Sequence, residues 1–117
     1  METKEKFVVS KLIEGSSAVS ADDGQVIFDK IKDALHNNKL VELDFDGIEI
    51  LTTAFLNAAI GQLYSKYTSD KLNQLLKLKN VSQEDLTLFQ KVIRRAKEYY
   101  ANPKGFEDSA NNAIYGT

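Results

Sequence analysis

Apolar positions along the chain change period several times, and each change marks an element. Lys6–Ile13, KFVVSKLI, is a β-branched run between lysines and predicts an opening strand, and Glu14–Ser17, EGSS, is turn chemistry. From Ser20 to Asn37 the period lengthens. Ile27, Ile31, Ala34 and Leu35 fall at i, i+4, i+7 and i+8, one face of a helix. Ser20 is placed to cap that helix, and Asp22 and Asp23 suit the positive end of its dipole. Asn37 and Asn38 tolerate the left-handed geometry that ends it. Leu40–Phe45 then alternates with period two, with Val41, Leu43 and Phe45 on one side of a strand and Glu42 and Asp44 on the other.

Asp46-Gly47 is a turn signal, and Ile48, Ile50 and Leu51 carry the chain, still apolar, into a second helix. Thr52 or Thr53 starts this helix, which is expected to reach about Lys66. Phe55, Leu56, Ala59, Ile60 and Leu63 make it apolar on more than one face, so more than one face is expected to be covered. Gly61 costs roughly 1 kcal/mol relative to alanine in a helix interior. With Ala58 and Ala59 beside it, close approach of another backbone is the expected compensation.

Tyr67–Asp70 reads as a break and Lys71–Val81 as a strand, with Leu76 and Leu78 inward and lysines of the kind that protect a sheet edge. Ser82 opens a last helix through SQED, with Leu86, Phe89, Ile93, Ala96 and Tyr100 as its buried stripe, and Asn102-Pro103 stops it. Gly105–Thr117 is polar and aperiodic. The expected organisation is one domain over 1–104 and a flexible tail over 105–117. Threefold alternation of strand and helix predicts an α/β sheet protein with right-handed crossovers.

Composition narrows the function classes. A 117-residue chain with 43% hydrophobic and 27% charged residues is one ordinary globular domain, able to bury a core without staples. There is no cysteine, so disulfides and thiolate metal sites are excluded, and a cytoplasmic location is the expectation. With 15 basic and 17 acidic residues, a net charge of −2 gives no general attraction to nucleic acid or to an anionic membrane. METKEKFVVS lacks the apolar core of a signal peptide, and no run approaches the ~18 apolar residues of a membrane span.

The candidate chemistry gathers where the strand at Leu40–Phe45 feeds the second helix. Hydroxyls and unpaired N–H groups at a helix start suit an anion, although capping alone accounts for a threonine there. Asp44 and Asp46 could face a ligand at the end of the strand, or could simply bend the chain with Gly47. A metal site would need more ligands than lie nearby, and no metal or cofactor is expected. His36, the only histidine, sits near a helix C-terminus without a nucleophile beside it. Lys91, Arg94, Arg95 and Lys97 form a basic face on the last helix, the usual dress of a solvated exterior. No pair of residues has acid–base or nucleophile spacing, so the expectation is a protein that is not an enzyme.

Val41, Leu43, Asp44, Phe45, Gly47, Ile48, Thr52, Thr53, Ala54, Phe55, Asn57 and Ala58 together make a pattern of known type. It runs as a strand V-x-L-D-F-x-G-I, a hydroxyl-bearing junction and an AF-containing helix with a small-residue centre. This resembles the STAS domains (sulfate transporter and anti-sigma factor antagonist), and more closely their small bacterial STAS-like relatives of unassigned function. The likeness covers about Val19–Tyr100. It implies a small mostly parallel or mixed sheet with helices packed mainly on one side.

For function the resemblance implies a regulatory module that docks a protein partner, of the anti-sigma type with a kinase-like ATPase fold, around the start of the second helix. Asp46, Gly47, Thr52, Thr53, Phe55 and Asn57 are the residues expected there. The STAS regulators carry an acidic residue, two serines and a glycine at this junction, the second serine being the usual phosphoacceptor. Here Thr52 stands at the acidic position, Thr53 at the first serine, Ala54 at the second and Phe55 at the glycine, so Thr53 is the one substitute acceptor. The alternative expectation is a small-anion or nucleotide site at the same helix start.

Overall fold

The computed structural model describes residues 3–101. In chain order the elements are β1 (Lys4–Val8), α1 (Val9–Leu12), β2 (Ser17–Ala18), α2 (Ala21–His36), β3 (Leu40–Asp44) and β4 (Ile50–Leu51). There follow α3 (Thr53–Ala59), a 3-10 helix (Gly61–Ser65), α4 (Ser69–Leu75), β5 (Leu76–Lys79) and α5 (Gln83–Ala101). Among the described residues the strands form a three-stranded sheet, in the order β1–β3–β5, and a two-stranded pair, β2–β4. Every pairing is parallel. This is a small α/β fold of the STAS-like kind. The tail expected over 105–117 lies outside the described residues.

The registers explain why helices crowd one face of the main sheet. Phe7 faces Leu43, Val41 faces Leu76 and Leu43 faces Leu78, so neighbouring strands stack apolar side chains on the same side. Val41 and Leu43 are fully buried there and join Ile27, Ile31 and Leu35 of α2 in one core. The opposite face carries Lys4 and Lys6 on β1, Glu42 and Asp44 on β3, and Lys77 and Lys79 on β5. Parallel sheets are usually covered on both faces. Here a ladder of opposite charges closes the second face instead. Lys4 Nζ lies 2.7 Å from Glu42, and Lys6 Nζ lies 3.5 Å from Asp44. The edge position of β5 agrees with its lysines.

The long α2 keeps the boundaries expected of it. Ser20 Oγ accepts the Asp23 N–H, Asn37 closes the last turn, and Asn38 takes φ 58°. Its tightest packing lies at Gly24. A Cβ there would strike the carbonyl oxygen of Phe55 and sit 2.8 Å from Ala58 Cβ on α3. Glycine is therefore required because the backbone of α3 rests directly on α2.

Five expectations change. The opening β-branched run does not stay extended. The strand covers Lys4–Val8, and Val9, fully buried, begins a one-turn helix that folds Leu12 and Ile13 back against the core. The second helix stops at Ala59 and tightens into the 3-10 helix, where Leu63 N–H donates to the carbonyl of Ile60. At Gly61 a Cβ would meet nothing nearer than 3.7 Å, so close packing is not what selects that glycine. Lys71–Leu75 is helical, not extended, because Thr68 Oγ1 accepts the Lys71 N–H and caps α4, leaving only Leu76–Lys79 as strand. On α5, Phe89, Val92 and Ala96 are buried but Leu86 is exposed, so the buried stripe begins at Phe89 and runs through Val92 in place of Leu86.

Candidate functional site

The entrance to α3 is built from two local devices. After β3 the chain reverses through Phe45–Ile48, where Ile48 N–H donates to the Phe45 carbonyl and Gly47 takes φ 86°, a value that favours glycine. Residues 50–51 then pair with residues 17–18 of β2, and the Thr52 N–H donates to the Ala18 carbonyl. Thr52 ends the extended run and caps the helix. Its Oγ1 accepts the Phe55 N–H at 3.2 Å and donates to the Val19 carbonyl at 2.6 Å. One hydroxyl thus fixes both the first turn of α3 and its attachment to β2.

These bonds decide what the expected residues can do. Thr52 is half-buried and its hydroxyl is engaged twice. Thr53 is half-buried as the first residue of α3, and its hydroxyl makes no hydrogen bond among the described residues. Asn57 is exposed one turn further on, on the same face as Thr53 and Ala54. Phe55 is corrected from surface to core. It is fully buried and has no area to offer a partner. An anion site at this helix start draws no support from the geometry. α3 has only seven residues, and the Phe55 and Leu56 N–H groups are already taken by Thr52.

Asp46 and Gly47 are exposed on the β3–β4 connection and line a separate cleft of about 420 Å³ with Asn80, Ser82, Asp85 and Phe89. It lies at the C-terminal ends of β3 and β5, so the six expected residues do not form one constellation. Asp44 holds this end of the sheet together. It is 7% exposed, and its Oδ1 accepts from Asn80 Nδ2 at 2.8 Å and from the Asp46 N–H at 2.9 Å. The Asn80 hydrogen bond, then the Asp46 N–H and Lys6, hold its carboxyl below the usual aspartate range against the opposing effect of burial. Glu42 is likewise lowered, first by its hydrogen bond from Lys4. Asp44 is therefore a structural carboxylate, and Asp46 is the one left at the surface.

Sequence reasoning passed over two residues at the entrance. Ile50 is 53% exposed and Val19 is 42% exposed, and they flank Thr52 on the outward side of the β2–β4 pair. The signal was the alternation around Leu51. Leu51 partners buried Ala18, so its neighbour Ile50 must point the other way. His36 and the basic side chains Lys91, Arg94, Arg95 and Lys97 are exposed on the helices, as a solvated exterior would have them. Among the described residues no group of acidic or histidine side chains could hold a metal ion, and no helix is long and apolar enough to cross a membrane.

With these elements in place the comparison with known families is direct. The chain belongs to the family described as a STAS-like domain of unknown function (DUF4325), whose pattern matches residues 23–86, from the first turn of α2 to the first turn of α5. No curated protein and no solved structure matches it.

Proposed function

We propose that this domain is a non-enzymatic, cytoplasmic regulatory module that docks a protein partner over the entrance to α3. The observation that carries this reading is the pair of exposed apolar side chains, Val19 and Ile50, on either side of the Thr52 cap. Scattered surface apolar residues need no explanation. Two on one short ribbon, beside the polar Thr53 and Asn57, have the apolar-centre, polar-rim character of a small interface. Thr52 shapes the surface through its bond to Val19, and Thr53 and Asn57 supply the polar contacts, while Asp46 and Gly47 belong to the separate cleft at the ends of β3 and β5.

The partner implied by the STAS resemblance is a kinase-like ATPase of the anti-sigma type, and Thr53 is the residue such a partner would phosphorylate. The test is titration calorimetry of the purified chain against an ATPase of that fold from the same genome. Binding is expected, and Ile50→Asp should weaken it by tenfold or more, since a buried interface anchor contributes about 1–2 kcal/mol or above. The melting temperature of the isolated domain should stay unchanged. Thr53→Glu should also weaken binding, as a mimic of phosphorylation. Binding of equal strength in all three proteins would place the interface elsewhere, and no binding by the parent chain would remove the partner class.

A further inference from the structure

A second cleft lies away from the α3 entrance, between the 3-10 helix, the start of α4 and the C-terminal part of α5. It encloses about 500 Å³ and is lined by three tyrosines, two lysines and three hydroxyl residues, with no carboxylate. A volume of that order suits a small ligand. Several of the lining groups are uncommitted. Lys66 and Lys97 have no ion-pair partner among the described residues. The Tyr64 hydroxyl, on a half-buried ring, donates no hydrogen bond among them, and burial pushes its ionisation upward, so it stays a neutral donor. The Ser69 hydroxyl likewise makes no hydrogen bond among the described residues.

The other lining groups hold the walls in place. Ser65 Oγ donates to the Gln62 carbonyl at 2.6 Å, Thr68 caps α4, and Lys71 Nζ lies 5.4 Å from the centre of the Tyr67 ring. Tyr100 is braced edge-on by Tyr99 at 4.9 Å.

We propose that this cleft binds a small anion carrying a planar ring. Tyr67 and Tyr100 offer ring faces for stacking, Lys66 and Lys97 attract the negative group, and Tyr64 and Ser69 donate hydrogen bonds to it. Rings and ammonium groups recognise different parts of one molecule, so neither a bare anion nor an uncharged ring satisfies the site. The proposal is independent of the α3 docking surface, because it shares no residue with it.

The experiment is an amide-resolved NMR titration of the full chain with AMP and with phenyl phosphate, against adenosine and inorganic phosphate as single-feature probes. Shifts are expected at residues 64–69 and 97–100, with the two-feature probes at least about tenfold tighter than either single-feature probe. Lys66→Glu with Lys97→Glu should weaken AMP by about tenfold or more, and Tyr67→Ala by about fivefold, with the amide spectrum otherwise retained. The proposal is overturned by any of three results. AMP and phenyl phosphate could leave these amides unmoved up to about 10 mM. Inorganic phosphate alone could act as strongly as AMP, or the charge-reversed protein could bind AMP like the parent.

Discussion

Replacing Gly24 with alanine isolates the contact that fixes α2 on α3. By helix propensity the change should stabilise the protein by about 1 kcal/mol, since glycine in a helix interior carries that penalty. The geometry opposes it. The new methyl would meet the Phe55 carbonyl oxygen inside contact distance, Ala58 Cβ at 2.8 Å and Ala59 N at 3.2 Å. Two of these three obstacles are backbone atoms of another helix, so no side chain can rotate out of the way.

Relief requires α2 and α3 to separate by something near 1 Å, which loosens packing around the fully buried Phe55, Leu56 and Ile27. Overpacking of this kind costs about 3 kcal/mol at the upper end of its usual range. Set against the propensity gain, the net loss is about 2 kcal/mol. Urea unfolding followed by circular dichroism should show the midpoint lowered by about 1 M at an unchanged slope. Gly61→Ala is the internal control. Its methyl would make only ordinary contacts at 3.7–3.9 Å, so this variant should be neutral or more stable by up to about 1 kcal/mol. A Gly24→Ala protein as stable as the parent, or a ranking of the two variants in the opposite order, would refute the close-approach argument.

Other substitutions probe separate bonds. Thr52→Ala should cost about 1–2 kcal/mol by chemical denaturation, because it removes the α3 cap and the bond to Val19 together, while Thr52→Ser should recover most of the loss. Asp44→Ala should cost about 2–3 kcal/mol through the unpaired Asn80 and Asp46 donors. The acid limb follows from the lowered carboxyls of Asp44 and Glu42. Their contribution is complete above the unfolded aspartate and glutamate values, near 4, and is lost as pH falls through the lower folded values. Carboxyl NMR should therefore place the Asp44 titration below the ordinary aspartate value, and Asn80→Ala should move it up. An ordinary value in the parent protein would contradict the network. Leu86→Lys should change stability by less than about 0.5 kcal/mol, because Leu86 is exposed, whereas Phe89→Ala should cost about 3 kcal/mol or more.

What could be read from the residues was whatever is settled locally. Ser20 and Asn37 fixed the ends of α2 through their own side chains, and the alternation of Val41, Leu43 and Phe45 fixed the facing of β3. Thr52 was legible as one of two candidate caps. The errors arose where a distant segment decides. Val9 sits in a β-branched run but is drawn into the core as helix. Leu72, Leu75, Leu76 and Leu78 form an apolar series that suits helix or strand, and only the Thr68 cap and the pairing of Leu76 and Leu78 with β3 divide it after Leu75. Of the glycines inside expected helices, Gly61 attracted attention because small residues surround it. The glycine under steric demand is Gly24, whose neighbours along the chain are Asp23 and Gln25 and whose constraint comes from Phe55 and Ala58, more than thirty positions away. The candidate site was legible as a region but not as a surface. An aromatic in the first turn of α3 points inward, and the exposed Ile50 follows from pairing with β2.

The main sheet has one more consequence, for the order in which the chain can assemble. Lys4 faces Leu40 and Val41 faces Leu76, separations of 36 and 35 positions. Neither pairing can form from neighbouring residues, and each must close a loop that already contains a helix. On a ribosome β1 would wait for β3 to emerge, and β3 would keep one flank unpaired until β5 followed. Over that interval α2, with both caps encoded in its own sequence, is the element best able to hold its shape alone. The nascent sheet would then assemble on α2, and its closure by β5 would precede α5, the last of the described elements to emerge.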